Sequence, residues 1–184
     1  EAKVFYGKEV TVEELLPVLL EDKDFYDTSG GGVTLSGGEC LCQADFCAEL
    51  LKECKKEGIH TAIESALFVP WKQIQKVLPF CDFIFADFKI ADAEKHKKYT
   101  GMSNKLILEN LKKLFSAGAK IWIRIPIIPS INDDIDEMKK IKTFLDECGS
   151  PEKIELLPYH PMGESKSKAL GKTPHLFEIP DPQK

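Results

Sequence analysis

Asp87-Phe88-Lys89 sets a carboxylate and an ammonium two residues apart with an aromatic between them. In an extended strand that spacing sends both charged groups from one face and Phe88 from the other. An acid and a base together at a sheet end are costly to desolvate unless they pair or hold a ligand. Other polar groups fall at comparable places. Glu39 follows Gly37 and Gly38 after the apolar run 33–35, and Glu64 and Ser65 close the run that opens at Ile59. Arg124 shares a strand face with Trp122, and His160 ends the run from Lys153. Paired glycines leave main-chain groups uncovered, so a ligand can approach closely. Two chemistries suit such a set: the grip of a charged small molecule, or a hydrolase or lyase using Glu39, Asp87, Lys89 and His160 as acid, base and metal ligands.

Each residue also has a plainer account. Asp87 and Lys89 would form a structural ion pair, and His160 would cap a core. Arg124 would pair with a carboxylate in the neighbouring layer, and Glu39 and Glu64 would be solvated loop acids. The balance shifts because all of them fall at C-terminal strand ends, where parallel α/β folds assemble their sites.

The elements that must position them alternate between short apolar runs and helical stretches. Thr11-Val12-Glu13-Glu14 is a capping box opening a helix with Leu15, Leu16, Leu19 and Leu20, which Pro17 should bend or shorten. Residues 45–57 place Phe46, Leu50, Leu51 and Cys54 on one stripe, stopped by Gly58. Pro70 starts a helix with Trp71, Ile74, Val77 and Leu78, and helices are expected over 103–117 and 133–148. Strands are expected at 33–35, 59–64, 83–89, 120–128 and 153–160. The third is nearly continuously apolar, as when both faces are covered. Such alternation implies a parallel sheet with outer helices, and the absence of G-x-G-x-x-G favours a barrel or partial barrel over a dinucleotide fold. The barrel core is expected over 1–171, with an irregular tail at 172–184.

At 30% charged and 43% hydrophobic residues, the chain reads as an ordinary globular domain, and its net charge of -5 points away from nucleic acid. No apolar run approaches the ~20 residues of a membrane span, and no signal pattern opens the chain, so the cytoplasm is the expected compartment. The six cysteines repeat no tight ligand spacing. Cys42 and Cys47 match the first gap of a plant-type ferredoxin run, but Leu50 stands where the next cysteine is needed. Cys47 and Cys54 instead share a helix face with Leu50 and Leu51, as buried thiols.

The longer strings are Gly-Gly-Val-Thr-Leu-Ser-Gly-Gly-Glu at 31–39, Lys-Lys-Glu-Gly-Ile-His-Thr at 55–61, and Asp-Phe-Lys at 87–89. To these add Tyr-Thr-Gly-Met-Ser-Asn at 99–104, Trp-Ile-Arg at 122–124 and Ile-Glu-Leu-Leu-Pro-Tyr-His at 154–160. In this order, from about Gly7 to Gly171, the sequence resembles the radical S-adenosylmethionine (SAM) enzymes that activate glycyl radical enzymes, the pyruvate formate-lyase-activating type. The resemblance implies a partial TIM-like (β/α)6 barrel missing its first strand, with SAM held against a [4Fe–4S] cluster. It implies that Gly37, Gly38 and Glu39 meet the methionine end of SAM, and that Asp87, Phe88, Lys89, Arg124 and His160 touch the cofactor. Glu64, Ser65 and Asp87 match positions that bind a monovalent cation. The implied reaction is reductive cleavage of SAM and hydrogen abstraction from a glycine of a partner such as pyruvate formate-lyase, a diol dehydratase or a decarboxylase. A flavodoxin- or ferredoxin-type electron donor is implied with it.

The family's cluster needs C-x-x-x-C-x-x-C, which this sequence does not contain. The expectation is a fragment lacking that N-terminal segment, inactive alone, with a degenerate binding module as a non-enzymatic alternative. Local departures are Cys40 where a proline usually follows Gly-Gly-Glu, and Leu67 and Ser130 where glycines are common.

Overall fold

The computed structural model describes residues 7–160 and 169–171; the expected tail at 172–184 lies outside them. The described residues form two compact units, 7–64 with 69–83, and 65–68 with the described residues from 84 onward.

In the first unit, helix α1 spans Val12–Leu20 and opens on the capping box: Thr11 Oγ1 accepts from Glu14 N, and the Glu14 carboxylate accepts from Thr11 N at 2.9 Å. Pro17 lies inside this helix, which stops three residues later. Helix α2 follows at Lys23–Ser29, ended by Gly30 in the left-handed region. Strand β1 (Gly32–Leu35) pairs in parallel with β2 (His60–Ser65). Between them lie a 3-10 turn, Cys40–Gln43, and helix α3, Ala44–Lys56. Helix α3 buries Cys47, Leu50, Leu51 and Cys54 on the expected stripe. It closes through Gly58, with Gly58 N donating to Lys55 O and Ile59 N to Cys54 O. Val12, Val33, Leu50, Cys54 and Ile59 form the core, and Leu15, Leu16, Leu19 and Leu20 pack onto it. Helix α4, Trp71–Val77, starts after Pro70 as expected.

In the second unit, β3 (Phe83–Asp87), β4 (Ile121–Ile127) and β5 (Lys153–Pro158) pair in parallel in that order. Helices α5 (Ala93–Thr100) and α6 (Lys105–Ser116) connect β3 to β4, and α7 (Ile135–Cys148) connects β4 to β5. The class is α/β with parallel strands, as expected. Helix boundaries at α6 and α7 follow their apolar stripes and the Asp134 cap.

Three expectations change. Helices α2 and α5 carry too little apolar periodicity to announce themselves. Strand β3 stops at Asp87, so Lys89 lies in the loop beyond it. Its burial also alternates, Ile84 and Ala86 inside with Phe85 and Asp87 half-buried, the Phe85 ring meeting Trp122 edge-on and the Arg124 guanidinium on its face. The final strand ends at Pro158, leaving His160 exposed two residues past it.

Candidate functional site

Strand β1 leads into Ser36-Gly37-Gly38-Glu39. Gly37 has φ 121°, a conformation L side chains rarely adopt, and a Cβ at Gly37 or Gly38 would meet no atom within 4 Å. Both positions therefore expose main chain. Glu39 ends the turn by capping the 3-10 turn, its Oε1 accepting from Leu41 N at 3.2 Å. Ser36 Oγ donates to Glu64 Oε2 at 2.7 Å, tying the turn to β2. The Cys40 thiol donates to the Glu64 carbonyl at 3.5 Å, and the Cys47 thiol to the Cys40 carbonyl at 3.2 Å. The neighbouring Cys47 side chain and burial push the Cys40 thiol up, and the Cys40 side chain holds Cys47 down. Cys40 thus anchors the glycine turn by one side-chain hydrogen bond, to Glu64 O, that a proline could not make.

In the second unit, Lys89 Nζ donates to Asp87 Oδ2 at 2.6 Å, while Phe88 is buried and meets Phe144 edge-on at 5.3 Å. The opposite-face geometry expected from their spacing is present. Strand register places Asp87, Arg124 and Glu155 in one row and Phe85, Trp122 and Lys153 in the row beneath. Arg124 Nε donates to Glu155 Oε2 at 3.2 Å, and its guanidinium lies 4.2 Å from the Phe85 ring centre. Lys153 Nζ binds Glu155 Oε1 at 2.9 Å and sits 4.7 Å from the Trp122 ring centre. The Lys153 hydrogen bond, helped by Arg124, holds the Glu155 carboxyl below the usual carboxylate range. Arg124 thus has the carboxylate partner that its plainer account required.

The loop carrying Lys89 is fixed by buried side chains that the sequence reading did not single out. Asn132 donates to Lys89 O and Pro126 O, both at 2.7 Å, and accepts from Ile128 N at 2.7 Å. Asn104 donates to Ile90 O at 3.1 Å and Ala91 O at 2.8 Å. Glu137 accepts from Ala91 N and, at 3.2 Å, from Asp92 N. Each consecutive peptide from Lys89 to Asp92 is therefore held from outside the loop. The available signals were Asn104 and Asn132 beside turn residues Ser103 and Ser130, and neither spacing distinguishes a buried amide from a solvated one.

Asp87, Phe88 and Lys89 line a cavity of about 220 Å³, whose lining includes neither Arg124 nor His160. Of the cation expectation, Glu64 accepts from Ser36, Ser65 Oγ accepts from Leu67 N at 2.9 Å, and Asp87 holds Lys89. Leu67 itself is fully buried with φ 58°, and its carbonyl accepts from Asn110 Nδ2 at 2.9 Å. Among the described residues no three His, Cys, Asp or Glu side chains converge as metal ligands.

The family described as the Radical SAM superfamily matches residues 2–141, a span that includes the glycine turn, the Asp87–Lys89 pair and Arg124. The chain belongs to the Radical SAM superfamily. Among its curated relatives, the (2S)-3-sulfopropanediol dehydratase activating enzyme of Klebsiella oxytoca is 46% identical over 173 residues, 93% of this chain and 55% of that protein. The pyruvate formate-lyase 1-activating enzyme of Escherichia coli K12 is 40% identical over 180 residues, 97% of this chain and 73% of that protein. This radical SAM chain therefore spans about half to three quarters of the length of those relatives. A solved domain of pyruvate-formate lyase-activating enzyme from Bacteroides vulgatus superposes with a TM-score of 0.69 at 31% identity, covering 83% of this chain and 87% of that one. The partial-barrel expectation and the activating-enzyme resemblance both stand. The relatives do not favour the hydrolase alternative. The superfamily's cofactors are SAM and a [4Fe–4S] cluster. The open main chain at Gly37–Gly38 fits a polar ligand, whereas the described residues offer no three-thiolate set for the cluster.

Proposed function

We propose that the gene product containing this chain is an activating enzyme that uses SAM to place a radical on a glycine of a partner glycyl radical enzyme. One observation carries this: uncovered main chain at Gly37–Gly38, directly before Glu39, in a chain 40–46% identical to proteins named as activating enzymes. When bound, the cluster and SAM supply one-electron cleavage of a sulfonium to methionine and a hydrogen-abstracting radical.

The chain's own groups bind and orient SAM. Main-chain carbonyls at Gly37 and Gly38, with Glu39, accept from the methionine amino group. Lys89, held by Asp87 on a braced loop, and Arg124, spread over Phe85, offer cationic donors to a carboxylate or ribose. Phe88 locks the loop between them, and His160 addresses the adenosine. Glu64, Ser65 and Asp87 supply oxygens for a monovalent cation beside the carboxylate. Fixing these donors before binding reduces the ordering that SAM would otherwise impose. A flavodoxin- or ferredoxin-type protein delivers the electron in the cytoplasm; among the described residues no helix is long and apolar enough to cross a membrane.

Gly38→Ala tests the reading, since Gly38 has ordinary φ and open space where the methyl would go. The variant should melt within about 2 °C of the parent and bind SAM at least about tenfold more weakly, a loss of about 1.4 kcal/mol. Unchanged affinity would remove the glycine turn from the site. The full gene product, loaded anaerobically with iron and sulfide, should release 5′-deoxyadenosine under reductant, and failure to do so refutes the activity.

A further inference from the structure

Arg124 is the only arginine among the 25 basic residues of the sequence. Its surroundings do more than neutralise it. The guanidinium carbon lies 4.2 Å from the centre of the Phe85 ring, and Nε donates to Glu155 Oε2 at 3.2 Å. A planar fork with a ring on its face and a carboxylate at Nε has both its plane and its rotation set. Lysine, a point charge on a flexible stem, could not be oriented in this way.

Glu155 is held in its turn. Lys153 Nζ donates to its Oε1 at 2.9 Å and sits 4.7 Å from the Trp122 ring centre. Each carboxylate oxygen therefore meets a different cation. Strand register puts Arg124 between Asp87 and Glu155, and each of those acids has its own lysine, Lys89 at 2.6 Å and Lys153 at 2.9 Å. Across these five groups the cations outnumber the acids by one, which suits an anionic ligand.

Stability alone gives little reason for the arrangement. The Arg124 and Glu155 side chains are 23% and 28% exposed. A half-buried pair contributes little once desolvation is set against attraction. What it does supply is a fixed direction for the guanidinium.

Resting on the function proposed above, we propose that Glu155 is a positioning residue, which fixes the Arg124 guanidinium so that it meets the carboxylate of SAM already oriented. Glu155 touches no ligand itself. It removes rotamer freedom that Arg124 would otherwise lose on binding. Lys153, bound to the other oxygen, keeps the Glu155 carboxylate turned toward Arg124.

The first readout is the Arg124 Nε–H signal in 1H–15N spectra of the 184-residue chain, unambiguous because the sequence has one arginine. In mildly acidic buffer it should exchange slowly in the parent and in Glu155→Gln, which keeps an oxygen for Nε, and rapidly in Glu155→Ala. The second readout is the affinity of the full gene product, loaded anaerobically with iron and sulfide, for SAM and for decarboxylated SAM. Glu155→Ala should weaken SAM about tenfold and change decarboxylated SAM by less than about twofold. Glu155→Gln should return SAM to within about threefold of the parent. A purely structural pair would lower the melting temperature of Glu155→Ala and move both ligands alike or neither, and that result would overturn the proposal. So would rapid Nε–H exchange in the parent, or slow exchange that survives Glu155→Ala. SAM cleavage by the parent with no selective loss in Glu155→Ala would sink this inference alone. Selective loss of SAM affinity without any 5′-deoxyadenosine from the parent would sink the activity and leave the role of Glu155 standing.

Discussion

Asn132→Ala removes more than its small size suggests. The side chain is fully buried and makes three hydrogen bonds of 2.7 Å, to Lys89 O, Pro126 O and Ile128 N. At about 1 kcal/mol net per bond, the loss is about 3 kcal/mol before counting the stranded carbonyls and amide. Against a total stability of ~5–15 kcal/mol that is a large fraction. With a urea slope of about 2 kcal/mol per molar, the unfolding midpoint should fall by about 1.5 M at unchanged slope. SAM affinity should fall too, because the Lys89 carbonyl loses its anchor and the ammonium its fixed starting point. Asn132→Asp keeps the acceptor for Ile128 N but turns a carboxylate oxygen toward two carbonyls, so it should do no better than alanine. A midpoint shift below about 0.5 M, near 1 kcal/mol, would refute the claim that this amide braces the loop.

Three further outcomes follow from other contacts. Thr11→Ala should destabilise the first unit by about 1 kcal/mol, read by thermal melting, since it deletes one half of the reciprocal α1 cap. Gly32→Ala should severely destabilise the fold, read as loss of soluble protein or of the cooperative melt, because its Cβ would sit 1.9 Å from His60 O on the paired strand. Burial alone would raise the Asp82 carboxyl, but hydrogen bonds from Lys55 and Thr61 outweigh it and hold it below the ordinary aspartate value. Its stabilising effect is present above that ordinary value, about pH 4, and is lost as pH falls through the lower folded value. Asp82→Asn should therefore be less stable than the parent at pH 7, with the gap closing in acid; a gap constant down to pH 2 would contradict this.

What the sequence disclosed followed from local physics. Thr11 and Glu14 cap a helix through a three-residue spacing, and Gly58 and Gly118 terminate helices by adopting φ values closed to most residues. The Asp87–Lys89 pairing was expected from strand period and forms although Lys89 lies in the loop past β3. Glu155 was quoted in a motif but its role was not visible, because which carboxylate meets Arg124 is set by the register between β4 and β5. The role of Asn104, also quoted in a motif, and the residues Asn132 and Glu137 stayed hidden for a related reason. A polar residue on a helix end or turn reads as solvated until the fold lays an unpaired main-chain segment beside it. Helices α2 and α5 show the limit of periodicity, since both are short and predominantly polar. Asp92, whose side chain accepts from Lys95 N, and Gly101 were the cues for α5.

Leu67 sets backbone strain against burial. A leucine at φ 58° carries a backbone penalty of about 1–2 kcal/mol that glycine would escape. Its side chain is wholly interior, and burying it is favourable by about 1.5–3 kcal/mol. Leu67→Gly would relieve the main chain but open a hole behind it.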